Sequence, residues 1–233
     1  MVESANTLDG IELFQTLTAA KRRAVAQQCH WRRFTAGQHI VGRRDTTRDV
    51  FFVVAGRARA TSYSLAGKEV SYREIGAGDM FGEFSAIDGE PRSADVVALS
   101  DCLVAALSNS VFWQILRDHP EIAAATLKRL TRQIRVLTER VFEFSALAVN
   151  NRIHAELLRL ARDHMSGDNA AVIRPAPTHA ELASRLSTHR EAVTRELNEL
   201  ARAGLLERRG GALHISDIAR LQRMVESVLG DHL

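Results

Sequence analysis

Cysteine, excess positive charge and long hydrophobic runs are all scarce in this chain. Its two cysteines, Cys29 and Cys102, stand far apart with no C-x-x-C partner. That excludes a disulfide framework and a four-thiolate iron–sulfur or zinc cluster, and both are expected as buried small apolar residues. No apolar run approaches the roughly 18 residues needed to cross a bilayer, so no membrane contact is expected. The opening MVESANTLDG has no basic stretch followed by an apolar one, so no secretory signal is expected and the expected location is cytoplasmic. A net charge of +3 is too small for a surface that binds any nucleic acid indiscriminately, so any DNA binding would have to come from locally placed residues. The sequence has no H-E-x-x-H or other close metal spacing, no Walker loop and no nucleophile elbow. Neither a metal site nor an enzyme is expected.

What is present is a globular balance of 45% hydrophobic and 25% charged residues over 233 positions, enough for two domains and a connecting element. Residues 9 to 30 read as short helices, IELF at 11 to 14 and a segment opening at Thr18. From 31 to 108, short β-branched and aromatic runs are punctuated by glycine, an all-β texture. DVFFVVAG, RARATSYS, a turn at Ala66–Gly67 and KEVSYREI succeed one another at the spacing of hairpins in a barrel or roll.

A long helix is predicted from Pro120 to about Ala148, without an interior glycine or proline. Leu127, Leu130, Ile134, Leu137, Val141, Phe144 and Ala148 alternate spacings of three and four, a heptad seam that predicts a homodimer. Lys128, Arg132, Arg135, Glu139 and Arg140 flank it. Asn150 or Asn151 is expected to cap a helix over 152 to 165, followed by the polar loop SGDNAAV. Thr178 then opens THAELASRL with Glu181 three residues on, a capping box. Ser187–Thr188 separates this helix from HREAVTRELNELARAG, which Gly204 ends. Two helices and a short turn make a helix-turn-helix, and LLERRGGALHIS reads as a two-stranded wing about Gly210–Gly211, before a last helix at 216 to 229. The fold expected is α+β, divided into 1–119, 120–148 and 149–233.

The segment Phe81-Gly82-Glu83-Phe84-Ser85-Ala86-Ile87-Asp88-Gly89-Glu90-Pro91-Arg92-Ser93-Ala94 has the parts of a phosphate cradle. Gly82 lets backbone approach a ligand, the next residues can form a helical turn, and Arg92 supplies a charged planar fork. Glu83 would repel a phosphate but can accept from a sugar hydroxyl. The alternative without a ligand is an internal Arg92 to Glu83 ion pair, a costly use of two charges in an apolar roll.

FGE, eight intervening residues and RSA resemble the phosphate-binding cassette of the cyclic-AMP receptor protein (CRP/FNR) family of bacterial transcription regulators. FTAG at 34 to 37, VVAG at 53 to 56 and IGAGD at 75 to 79 extend the likeness over the whole roll. The resemblance implies an N-terminal cyclic-nucleotide-binding β-roll, a dimerisation helix and a C-terminal winged helix-turn-helix. It implies that Gly82, Arg92 and Ser93 hold the cyclic phosphate and Glu83 the ribose 2′-hydroxyl, with Phe84 and Ser85 alongside. It also implies that two adjacent hydroxyl residues of the long helix meet the purine. Here the pair is Leu137 and Thr138, so one polar reader is missing, and relaxed binding of both cyclic AMP and cyclic GMP is expected.

In the second helix of the pair, His189-Arg190-Glu191-Ala192-Val193-Thr194-Arg195 resembles the family's base-reading R-E-x-x-x-R. Arg190, Glu191 and Arg195 can face guanine, cytosine and a second acceptor, with Thr178, His189 and Thr194 as further expected contacts. The resemblance implies inverted TGTGA-like half-sites in double-stranded DNA and a contact with RNA polymerase, with the loop 166 to 171 as its surface. Two other readings stay open: a regulator of this fold that senses another ligand or none, and a cyclic-nucleotide module without specific DNA binding.

Overall fold

The computed structural model describes residues 6–65 and 69–229, so the turn expected at Ala66–Gly67 lies outside the described residues. The chain divides into two compact units, one through Gln133 and one from Ile134.

In the first unit a 3-10 turn occupies Glu12–Phe14, and Thr18 caps α1 (Ala19–Ala26) by accepting from the Lys21 N–H. The strands are β1 (His30–Phe34), β2 (His39–Val41), β3 (Val50–Ala55), β4 (Ala58–Tyr63), β5 (Glu69–Ile75), β6 (Met80–Phe81), β7 (Asp95–Ala98) and β8 (Cys102–Leu107), with α2 (Glu83–Asp88) between β6 and β7. They form two four-stranded sheets, ordered β1-β8-β3-β6 and β2-β7-β4-β5. The run VFFVVA of β3 shows no polar alternation because both its faces are covered. Phe51 and Val53 fill the space between the sheets with Ile75, Val96 and Val104, while Val50 and Phe52 pack with Phe14, Phe112 and Ile122.

β4 and β5 are hairpin partners, but β3 and β4 are not: β3 bonds to β6 and β8, whereas β4 bonds to β5 and β7. Glycine spacing marks where a chain turns and leaves open which strand lies beside it. The passage between sheets runs through Gly56, at φ +87°, where a Cβ would stand 2.1 Å from the Asp101 carbonyl oxygen. A side chain there meets backbone, so only glycine fits.

Ser108 caps α3 (Asn109–Asp118), and α4 follows at Pro120–Ala146. The N-terminal part of α4 is seated on the roll by buried Ile122 and Thr126, and by Arg129, which donates to the Asp79 carboxylate at 2.9 Å and to the Met80 carbonyl at 3.2 Å. Another stripe of the same helix is uncovered: Leu127, Ile134 and Val141 are 65%, 63% and 65% exposed. Ala148 is not part of this stripe, because α4 ends at Ala146 and Ala148 is the N-cap of α5 (Val149–Asp163). Asn150 and Asn151 therefore lie inside the first turn of α5 and do not cap it, and no side-chain cap bond is made there.

The second unit continues with β9 (Ala171–Ile173), α6 (His179–Arg185), α7 (Arg190–Arg202), β10 (Leu206–Arg209), β11 (Ala212–Ile215) and α8 (Ile218–Leu229). Its core joins Leu157, Leu158, Leu182, Val193, Leu197, Leu213 and Leu221. Thr178 and Glu181 close the expected capping box on α6. Gly210 and Gly211, at φ +56° and +72°, turn the wing from β10 to β11, as a two-residue hairpin with positive φ at both positions requires. The end of the stretch expected as a polar loop is strand: Ala171, Val172 and Ile173 pair with Ile215, His214 and Leu213. Three residues are too few to display a period of two, and the pairing comes from a partner some forty positions away.

A buried ionic chain crosses this unit. Glu156 of α5, 3% exposed, pairs with Arg159 and, at 3.2 Å, with Arg185 of α6. Arg159 also reaches Glu143 of α4 at 2.7 Å. Burial raises the Glu143 pKa above its ordinary value, against the opposing charge of Arg159.

Candidate functional site

The cassette folds as a reversal between β6 and α2. Gly82 sits at φ +83°, where a Cβ would be 2.7 Å from Arg92 Nη1 and 2.9 Å from the Asp49 carbonyl oxygen. Glycine is needed here for conformation and for space alike. Arg92, 4% exposed, donates from Nη1 to the Gly82 carbonyl and from Nη2 to the Asp49 carbonyl, both at 2.8 Å, and from Nε to Thr47 Oγ1 at 3.2 Å. Its guanidinium lies 5.4 Å from the centre of the Phe51 ring, which is itself stacked on Phe81 at 4.9 Å. Burial lowers the Arg92 pKa, and Asp49, Asp45 and Glu83 oppose that shift. An arginine remains charged in this setting. Three of its five N–H groups are spent on positioning, which leaves two for a ligand.

Gly82, Glu83, Phe84, Ser85, Arg92 and Ser93 line one cavity, open to the surface and walled by Val41, Ile75, Phe81 and Val96. Glu83 is 3% exposed, and its carboxylate accepts no hydrogen bond and closes no ion pair among the described residues. The internal Arg92 to Glu83 pair therefore does not form. A fixed cation, a free buried acceptor and apolar walls in one cavity suit a ligand with an anionic group, a hydroxyl and a flat apolar body.

Leu137 and Thr138 are not among the residues lining this cavity. Both are exposed on α4, and the Thr138 hydroxyl donates to the Ile134 carbonyl at 2.9 Å.

Two polar residues of the cavity escaped the sequence reading, Arg73 and Gln133. Arg73 donates to the Met80 carbonyl; burial lowers its pKa while Glu83 opposes the shift. Both had a legible signal. Arg73 and Ile75 share one face of β5, two positions apart. Ile122, Thr126, Arg129 and Gln133 follow helical spacing along the roll-facing side of α4. From α3, the Trp113 indole N–H donates to the Ala86 carbonyl of α2 at 2.8 Å, bracing the cassette helix.

In the second unit, α7 buries Val193, Leu197 and Leu200 and presents the opposite face. Arg190, Glu191, Thr194 and Arg195 line a concave strip with Asn198, Glu199 and Arg202. His189 is the exposed N-cap of α7 and makes no side-chain cap bond. The Thr194 hydroxyl donates to the Arg190 carbonyl at 2.9 Å and so must accept from His179 Nδ1 at 2.7 Å. Burial lowers the His179 pKa, and the charges of Arg208 and Arg190 lower it further. Thr194 thus ties α6 to α7, and the exposed charges of the strip are Arg190, Glu191, Arg195, Glu199 and Arg202. Thr178 is exposed beside them, its hydroxyl engaged with Glu181.

Comparison with known proteins finds the same two modules. A family model for the cyclic nucleotide-binding domain matches residues 31–119, and one for the Crp-like helix-turn-helix domain matches residues 151–224. The chain is 28% identical to the "Cyclic AMP receptor protein" of Thermus thermophilus, covering 93% of this chain and 98% of that one. It is 24% identical to the "CRP-like cAMP-activated global transcriptional regulator" of Mycobacterium tuberculosis, covering 91% and 95%. In fold it superposes on a CooA mutant from Carboxydothermus hydrogenoformans with a TM-score of 0.80 at 20% identity, over 95% and 96% of the two chains. The cassette, the helix-turn-helix and these relatives agree: the chain belongs to the CRP/FNR family, as a non-enzymatic, cyclic-nucleotide-binding transcription regulator with a helix-turn-helix DNA-binding domain.

Proposed function

We propose that this regulator is a homodimer that binds cyclic AMP, and cyclic GMP as well, and in that state reads inverted TGTGA-like half-sites. Its working parts are a sensing roll at 1–119, a dimerising segment at 120–148 that α4 occupies as far as Ala146, and a reading domain at 149–233. The observation that carries the ligand is the buried, unpaired Glu83 carboxylate in one cavity with the anchored Arg92 fork. The relatives from Thermus and Mycobacterium bear cyclic AMP in their names. The resemblance puts Leu137, which cannot hydrogen-bond, at the base, and relaxed base selectivity follows from that placement. Ligand biases the dimer between two arrangements that set the spacing of two recognition helices, and DNA tests that spacing because half-sites on one face lie about 34 Å apart. RNA polymerase is the further partner, met through residues 166–171.

Mobility shifts with and without each nucleotide, beside calorimetric titrations, test this reading. Ligand-dependent retardation with both nucleotides is expected. A preference for cyclic AMP beyond about a hundredfold overturns relaxed selectivity, and retardation indifferent to nucleotide overturns ligand control. Arg190→Ala is expected to cost about 1–3 kcal/mol per half-site and to relax discrimination at one base pair; unchanged affinity in a folded protein removes Arg190 from the base contacts.

Self-association is supported by the uncovered α4 stripe of Leu127, Ile134 and Val141. Ile134→Glu combined with Val141→Glu leaves each chain's core untouched, since both side chains are exposed, and is expected to yield monomers in sedimentation. A dimer that survives the pair places the interface elsewhere.

A further inference from the structure

Of the two polar residues of the cavity outside the cassette, Arg73 bonds the Met80 carbonyl and Gln133 is left over. Gln133 of α4 lines it together with Glu83 and Arg73, and its carboxamide Oε1 is buried without a hydrogen-bond partner. Buried amide oxygens are almost always paired, because an unmade bond leaves the full cost of desolvation standing. The ionic contacts of Arg129 with Asp79 and Glu12, one turn earlier on α4, hold this part of the helix against the roll. The oxygen is therefore an unpartnered acceptor on a residue that lines the ligand cavity.

We propose that Gln133 Oε1 accepts a hydrogen bond from the base of the bound cyclic nucleotide, making Gln133 a ligand-reading residue of α4. The inference rests on the cyclic-nucleotide reading of the cavity and assigns a part of the ligand that reading leaves open. Arg92 and Ser93 take the phosphate and Glu83 takes the ribose hydroxyl, so the remaining hydrogen-bond donors of the ligand are those of its base. Adenine offers its exocyclic amine, and guanine offers N1–H and its own amine. One acceptor thus serves both purines, which matches a site with relaxed selectivity. A base without an N–H donor leaves the oxygen as it stands in the free protein, and binding such a ligand recovers nothing. Gln133 also belongs to the helix that carries the exposed seam, so this bond makes occupancy of the roll felt directly by α4.

The test is a cycle of two proteins and three ligands, read by calorimetry. The full-length protein and Gln133→Met, which preserves length and helix propensity, are titrated with cyclic AMP, with the cyclic phosphate of unsubstituted purine riboside, and with 2′-deoxy cyclic AMP. The unaltered protein is expected to bind the purine analogue about tenfold more weakly than cyclic AMP. Gln133→Met is expected to bind cyclic AMP about tenfold more weakly and to be indifferent to loss of the amine, while both proteins lose the same factor on removal of the 2′-hydroxyl. Free Gln133→Met is expected to melt no lower than the unaltered protein, because the oxygen removed has no partner. If Gln133→Met weakens every ligand equally and still distinguishes the amine, Gln133 is structural and the inference fails. If it becomes indifferent to the 2′-hydroxyl, the oxygen reads ribose and the base assignment is wrong. Failure of the unaltered protein to bind cyclic AMP overturns the ligand reading itself, whereas normal binding with no coupling in the cycle overturns this inference alone.

Discussion

Arg92→Gln is expected to reduce cyclic-nucleotide affinity by about two to three orders of magnitude, the consequence of removing a buried charge that faces an anion, at about 2–5 kcal/mol. The effect has two sources. The variant loses the charged fork that meets the phosphate, and it leaves the Gly82 and Asp49 carbonyls without their donors. Gly82 belongs to the cassette and Asp49 directly precedes β3, so Arg92 both faces the ligand and ties the cassette to the start of that strand. Arg92→Lys separates the roles. It keeps the charge but cannot span both carbonyls and Thr47 Oγ1 at once, and its affinity should fall between the other two. Calorimetry at fixed salt, with circular dichroism to establish folding, measures both. Binding by Arg92→Gln within about threefold of the unaltered protein would show that the phosphate is held elsewhere.

Glu156→Ala is expected to be the most damaging change in the second unit, at about 3 kcal/mol. Removing one member of a buried ion pair leaves the remaining charges desolvated, and Arg159, 36% exposed, recovers part of the loss through water. Arg185, far more enclosed, recovers less. The urea midpoint of the full chain reads the loss. Glu156→Leu combined with Arg185→Met should be milder than Glu156→Ala alone, because no buried charge between α5 and α6 then goes unpaired. If the double variant is the worse of the two, apolar packing at Glu156 and Arg185 carries the stability, and the ionic chain is incidental.

Much of this molecule was legible where a local rule suffices. The capping box at Thr178 and Glu181, the wing turn at Gly210 and Gly211 and the β3 run each depend on a few neighbouring residues, and each folds as its pattern predicts. The cassette was legible because Gly82, Glu83 and Arg92 carry chemistry that a structural role alone does not demand. Features that depend on distant partners were not. β9 exists because β11 lies beside it, and β3 leaves β4 because β8 offers a better-covered neighbour. The first turn of α5 begins at Val149 although two asparagines follow, because buried Leu147 and Ile153 fix where the chain enters the second core. Arg73 and Gln133 were overlooked for a different reason: a polar residue on an inward stripe reads as an exception to the pattern until a cavity is seen to need it.

The bond from Trp113 to Ala86 gives this protein a built-in optical reporter. Of its two indoles, Trp31 and Trp113, the latter is fastened to the backbone of the cassette helix, in a residue 37% exposed to water. Any rearrangement of α2 must alter that bond or the hydration of the ring. Emission from an unlabelled chain can therefore follow the cassette in time, and replacing Trp31 by phenylalanine leaves a single emitter at the place where signal is received.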